Sequence, residues 1–298
     1  MPMSLLIIGI ERYYFKKIIK SKNFIKEAFL HRKECLFAFG LAEKRGNFLF
    51  VECNTNIVLG RGIYMRQIIA LGGGGFSMEP DNPLLDLYIL KQAKKSKPNI
   101  CFIPTASGDA DNYIARFYQF FNQQNCNPSH LSLFNPPTRD LEAFILEQDI
   151  LYVGGGNTKN LLALWKEWKL DHILRKAWEQ GVILAGLSAG SICWFEEGVT
   201  DSFGDGLEPI QCLGFLKGSH CPHYDGESER RPAYHQLIAA GKIQSGIAAD
   251  DGVAIHFKEQ EISTIVSSRP NAKAYRVAYD KKVVETELQT EFLGVAYF

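Results

Sequence analysis

From residue 65 onward, short apolar runs alternate with longer segments whose apolar positions recur every three or four residues. Residues 67–71, 99–104, 130–134, 149–153 and the four apolar residues 182–185 are the short runs. A run of four to six apolar residues bounded by turn formers predicts a strand buried on both faces. Between these runs, residues 83–96 carry Leu84, Leu85, Leu87 and Leu90 on one face and close on lysines, as a helix C-terminus favours. Residues 112–125 form an aromatic helix with Phe117, Phe120 and Phe121 turned inward, and 141–146, 161–168 and 172–180 complete the helical set. Strands and helices in alternation predict right-handed crossovers and a mostly parallel sheet. Such sheets place their sites beyond the carboxyl ends of the strands. Residues 72–75, 105–109, 154–158 and Ser188 all fall at such ends, so they should converge on one cleft.

The stretch Gly186-Leu187-Ser188-Ala189-Gly190 follows the fifth apolar run. It matches G-x-S-x-G, the nucleophile elbow, in which a tight strand-to-helix turn lifts a serine out of the fold. A hydroxyl is a weak nucleophile and needs a base within reach, hence the exposed position. Ser191-Ile192-Cys193-Trp194-Phe195 then reads as the opening of a buried helix, whose first N–H groups are free to meet an oxyanion. A base is needed downstream. His31 lies in the N-terminal stretch, His172 and His235 in helical patterns, His130 and His256 in strands; His220 and His223 sit in a loop beyond the serine. Pro222 and Tyr224 flank His223 and favour it. For the orienting acid, Asp201 is the first choice because it lies in a turn between serine and histidine. Asp205, Glu208, Glu196 and Glu197 are its rivals, since spacing alone does not separate them.

The remaining chain adds less chemistry. Residues 1–64 show lysines among aromatics and two short strand-like pieces, 36–40 and 48–52, which suggests a helix and a hairpin, with Met65 a second candidate start. Residues 196–211 are turn-rich and acidic. Residues 246–257, 261–267, 274–280 and 282–287 read as consecutive strands joined by hairpin turns, Asp250-Asp251-Gly252 among them. The four glycines at 72–75 lack a phosphate-binding pattern and instead suit close passage of backbone beside a site. Lysine plus arginine and aspartate plus glutamate number 33 each, so no charge excess points to nucleic acid or a membrane surface. Seven scattered cysteines without a C-x-x-C pair argue for free thiols in a reducing cytoplasm and against a zinc site. No apolar run approaches the roughly 20 residues of a membrane span.

Four motifs together carry a resemblance. Leu71-Gly72-Gly73-Gly74, Val153-Gly154-Gly155-Gly156-Asn157-Thr158, Gly186-Leu187-Ser188-Ala189-Gly190 and Cys221-Pro222-His223-Tyr224 are similar in order and spacing to peptidase E, the aspartyl dipeptidase family. The likeness runs over residues 65 to 261. It implies a three-layer α/β/α sandwich with a mostly parallel sheet, of the class I glutamine-amidotransferase-like kind, in a domain of residues 65–298 preceded by an extension, 1–64, with no counterpart. It further implies a serine exopeptidase for dipeptides with N-terminal aspartate, working through Ser188, His223 and Asp201 and an acyl-enzyme. Gly156 and the Ala189 N–H match the oxyanion hole. Gly155, Asn157, Thr158 and either Arg230 or Arg231 would meet the substrate. No cofactor or metal is implied, and the partner is a small peptide, with no nucleic acid or membrane; the chain would be a monomer or homodimer. A cyanophycinase-like or other β-aspartyl hydrolase, or a non-catalytic small-molecule binder, are the alternatives on the same fold. Ser191 stands where alanine is more usual in the family.

Overall fold

The computed structural model describes residues 65–294 and the pairs 43–44 and 47–48. The chain divides into two units, Met1–Gly60 and Arg61–Phe298. In the first, Glu43–Lys44 and Asn47–Phe48 form an antiparallel ribbon. The strand expected at 36–40 and all but Phe48 of the one at 48–52 lie outside the described residues, as does the helix expected there.

The second unit begins with β1 (Gln67–Leu71), α1 (Gly75–Met78), α2 (Leu84–Gln92), β2 (Asn99–Ile103), α3 (Asp111–Phe121) and β3 (Asn127–His130). Next come α4 (Leu141–Leu146), β4 (Ile150–Val153), α5 (Thr158–Glu167), α6 (Leu170–Glu179), β5 (Ile183–Leu187) and α7 (Ala189–Ile192). The chain then adds β6 (Phe195–Thr200), β7 (Glu208–Gln211), β8 (Leu216–Cys221), α8 (Arg230–Ala239) and β9 (Gly246–Ala249). It finishes with β10 (Val253–Lys258), β11 (Glu261–Ser267), β12 (Ala274–Asp280), β13 (Lys282–Leu288) and β14 (Glu291–Phe292).

The main sheet has eight strands in the order β14-β11-β10-β1-β5-β4-β2-β3. The five strands from β1 to β3 run parallel, and β10 and β11 extend the sheet antiparallel beyond β1. Strand geometry sends successive side chains to opposite faces. Ile68 and Ala70 therefore join Trp165 and Trp178 of α5 and α6, while Ile69 and Leu71 join Phe117 and Phe121 of α3. Burial on both faces explains why these strands are apolar throughout rather than alternating. Each such side chain removed from water contributes roughly 1.5–3 kcal/mol. Phe102 stacks on Phe117 at 5.0 Å and meets Phe76 edge-on at 5.5 Å, so the aromatic stripe of α3 is core. The α/β architecture with a mostly parallel sheet is thus the one its strand–helix rhythm predicts.

Three features depart from that prediction. The third strand is Asn127–His130 rather than 130–134; among the described residues it pairs only with β2, and an edge position tolerates Pro128. The elbow helix lasts a single turn, and Phe195 already starts β6. Finally, a second sheet of six strands, β13-β12-β9-β8-β6-β7, takes up most of the region read as turns and hairpins. Its Phe195, Leu216, Ile247 and Ala274 share a core with Trp178, and α8 covers its other face through Tyr234 and Ile238. Residues 250–252 are consequently no hairpin: β9 belongs to the six-stranded sheet and β10 to the eight-stranded one. The turn carries the chain from one sheet to the other.

Candidate active site

Ser188 sits at the end of β5 with φ 54° and ψ −118°, outside the regions that L-residues favour. The glycines either side are demanded by backbone proximity. A Cβ on Gly186 would lie 2.3 Å from the Gly190 carbonyl oxygen, and one on Gly190 would lie 2.2 Å from that of Val153. The serine is therefore held on a turn that no larger residues could make.

The end of β1 gathers the other groups. Ser188 N–H donates to the Leu71 carbonyl at 3.4 Å, His223 N–H to that of Gly72 at 3.1 Å, and Gly252 N–H to that of Gly73 at 3.1 Å. Three consecutive residues span only about 8 Å of chain. The loops bearing Ser188, His223 and Asp251 are thus pinned side by side. His223 itself adopts φ 53°. Its Nδ1 lies 2.6 Å from Asp251 Oδ1, and each of the two side chains is 10% exposed. A Cβ on Gly73 would fall 2.0 Å from Asp251 Oδ1 and 2.9 Å from His223 Nδ1, so glycine is what lets the strand end run beneath this pair. Asp225 fixes the acid's backbone by accepting from Asp251 N–H at 2.7 Å. The neighbouring Asp250 accepts from Lys273 N–H, and burial pushes its carboxyl up to about 6.

The acid facing His223 is therefore Asp251, not Asp201. Asp201 is exposed beyond the end of β6. Its rivals serve elsewhere or lie in solvent: Glu196 accepts from Gly218 N–H, Glu197 from Gln211 and Gln244, and Asp205 and Glu208 are exposed. The sequence carried a usable signal for Asp251. It stands at the carboxyl end of β9, a strand parallel to β8, whose own carboxyl end delivers His223. The hairpin reading of Asp250-Asp251-Gly252 hid it.

The loop after β4 lies against the serine. A Cβ on Gly155 would come 3.3 Å from Ser188 Cβ, and Gly155 N–H donates to Tyr113 Oη at 3.2 Å. Gly156 takes φ 138° against the Ala106 carbonyl. Among the described residues, the N–H groups of Gly156 and Ala189 have no hydrogen-bond acceptor. Asn157 caps α5 by accepting from Asn160 N–H at 2.8 Å and donates through Nδ2 to the Ser202 carbonyl at 3.2 Å. Thr158 is buried, with its hydroxyl 3.3 Å from that of Thr200. Thr158 therefore ties down the chain after β6 and is not open to a substrate.

Neither expected arginine is free. Arg230 is 3% exposed, donating to Glu227 Oε2 at 2.6 Å and to the Val199 carbonyl at 3.0 Å. Arg231 forks onto Glu285 and lies over Tyr224 and Tyr275. Both hold the second sheet and α8 together. Of the cysteines, Cys101, Cys126, Cys193, Cys212 and Cys221 are free thiols, and burial pushes Cys101 and Cys221 up to about 12. Among the described residues, no group of three or more His, Cys, Asp or Glu could hold a metal, and no helix is long and apolar enough to cross a membrane.

Residues 68–265 match the model of peptidase family S51. Over 231 residues the chain is 62% identical to the Bacillus subtilis (strain 168) protein "Uncharacterized peptidase YgaJ", covering 77% of this chain and 100% of that one. The chain belongs to peptidase family S51. Solved structures agree on the fold. A peptidase from an acI-B1 Actinobacterium superposes with a TM-score of 0.55 at 18% identity, over 77% of this chain and 96% of that one. A putative peptidase E protein from Listeria monocytogenes EGD-e gives 0.50 at 16% identity, over 76% and 100%. The S51 model takes in all four motifs and Asp251, from β1 to the middle of β11.

Proposed function

We propose that this S51 peptidase is a serine exopeptidase that releases N-terminal aspartate from dipeptides. The observation that carries the reading is the anchoring of Ser188, His223 and the Asp251 turn on three consecutive carbonyls, with the His223–Asp251 contact at 2.6 Å. Asp251 holds the ring proton on His223 Nδ1, which leaves Nε2 to take the proton of Ser188 Oγ as it attacks the scissile carbonyl. The same nitrogen then returns the proton to the leaving amine, and an acyl-serine remains for water to hydrolyse. The N–H groups of Gly156 and Ala189 receive the tetrahedral oxyanion, each donor lowering the barrier by about 3 kcal/mol.

The aspartate preference rests on the resemblance of the four motifs to the aspartyl dipeptidase family. A panel of Asp-Leu, Asn-Leu, Glu-Leu, Leu-Leu and β-linked Asp-Leu tests it. Asp-Leu is expected to have the highest kcat/KM. Equal rates for Asp-Leu and Leu-Leu would refute the specificity, and preference for the β-linked peptide would move the chain to the β-aspartyl hydrolases.

A further inference from the structure

The elbow stands on a second serine and a second histidine. Ser191 and His220 are both 0% exposed. Ser191 Oγ lies 2.8 Å from the Ser188 carbonyl oxygen and 3.1 Å from His220 Nε2. On its far side, His220 Nδ1 meets the Ile247 carbonyl at 2.9 Å. A carbonyl only accepts, so Nδ1 carries the ring proton. Burial pushes the imidazole down to about 4, which keeps it neutral, and Nε2 presents a lone pair to Ser191. Phe195 stacks on the ring at 4.7 Å and 10° and fixes its plane.

The Ser188 carbonyl already accepts from the N–H groups of Ser191 at 2.8 Å and Ile192 at 2.9 Å. The Ser191 hydroxyl lies within hydrogen-bond distance of two acceptors, the Ser188 carbonyl and His220 Nε2, and its one hydrogen serves one of them at a time. Its oxygen is therefore held between the peptide that follows the nucleophile and the strand that delivers the base. His220 belongs to β8, and His223 follows three residues later. Ser188 occupies a φ, ψ combination that persists only where surroundings over-determine it. The Ser191–His220 contact is a side-chain hydrogen bond between that turn and β8.

We propose that Ser191 and His220 form a positioning pair that sets the nucleophile elbow against the strand carrying the catalytic histidine. The proposal rests on Ser188 being the nucleophile. A pair that acts on Ser188 geometry changes the reactivity of its hydroxyl and leaves substrate binding alone. It acts as one unit, so its two halves are not additive.

The test uses the full chain and four variants: Ser191→Ala, His220→Asn, His220→Gln and the double Ser191→Ala/His220→Asn. Asparagine can still donate to the Ile247 carbonyl but is too short for Ser191, whereas glutamine can reach Ser191 with an acceptor. Measured for each are kcat and KM on Asp-Leu and the rate at which a fluorophosphonate acylates Ser188. Ser191→Ala and His220→Asn are expected to lower kcat and the acylation rate at least fivefold, with KM within twofold. The double variant should be no slower than the slower single one, and His220→Gln should recover part of the loss seen with His220→Asn. A smaller loss in Ser191→Ala, losses that multiply in the double variant, or a change confined to KM would overturn the proposal. If the His220 variants do not fold, Ser191→Ala, which removes one oxygen, decides by the same criterion. A wild-type chain that takes no label overturns the nucleophile reading and the proposal together; one that labels as fast as Ser191→Ala overturns the proposal alone.

Discussion

Replacing Asp251 by asparagine keeps the shape of the acid and removes its charge. In the native site the carboxylate lies 2.6 Å from His223 Nδ1, with both side chains only 10% exposed. Little water screens that contact, so a charge-assisted hydrogen bond worth about 1.5–3 kcal/mol is at stake when the ring becomes imidazolium. That alone corresponds to roughly 10- to 150-fold in rate. The amide adds a second fault. If it turns its N–H₂ toward Nδ1, the ring proton moves to Nε2, and the base faces Ser188 with its lone pair occupied. Together these place the loss in kcat at about 10²- to 10⁴-fold. Folding should survive, because the Asp251 N–H bond to Asp225 and the Gly252 N–H bond to Gly73 are backbone contacts that asparagine keeps. Asp201→Asn is the paired control: an exposed carboxylate removed from its strand end should change kcat less than about threefold. Steady-state hydrolysis of Asp-Leu, with circular dichroism to check the fold, measures both. If Asp251→Asn kept more than a tenth of the wild-type kcat, or Asp201→Asn lost a hundredfold, the orienting acid would have been misassigned.

Three further outcomes follow from the same geometry. Gly73→Ala forces a Cβ into the space of Asp251 Oδ1, so it should cut kcat by about 100-fold or more while KM changes little; near-native turnover would mean that the pair is not held there. Asp86 is fully buried, and burial pushes its carboxyl up to about 7, so the folded state keeps a proton that the unfolded chain gives up near pH 4. Wild-type stability is therefore lost from this group as pH rises from 4 to 7, and Asp86→Asn should gain on wild type over that window by on the order of 3 kcal/mol; a difference independent of pH in urea titrations would contradict this. Removal of residues 1–64 should leave a folded, active enzyme, since the S51 match starts at residue 68; insoluble protein or a loss beyond tenfold would refute it.

Much of this was legible in the chain. Apolar runs a few residues long fixed β1, β2, β4 and β5 to within a few residues because burial on both faces leaves no polar alternation to confuse the reading. The tight turn at Ser188 was legible for a related reason: a Cβ on Gly186 or Gly190 would lie 2.3 or 2.2 Å from a backbone oxygen, a demand that admits no substitute. Asp251 was overlooked as the partner of His223. Its partner is distant in sequence, and the aspartate–glycine turn that presents it has the same local signature as a hairpin. The arginines misled for a similar reason. Position after the base histidine suggests a substrate contact, yet Glu285, more than fifty residues further on, claims Arg231. The contact between Ser191 and His220 was not legible either, since it depends on how β8 packs against the turn at Ser188.

The central claim, that Ser188 is the nucleophile, can be tested by covalent labelling of the full chain with a fluorophosphonate, followed by intact-mass measurement and peptide mapping. The expected result is a single adduct on Ser188, loss of Asp-Leu hydrolysis in step with labelling, and no adduct in Ser188→Ala. An adduct on another residue, or an unlabelled chain that still hydrolyses Asp-Leu, would contradict it.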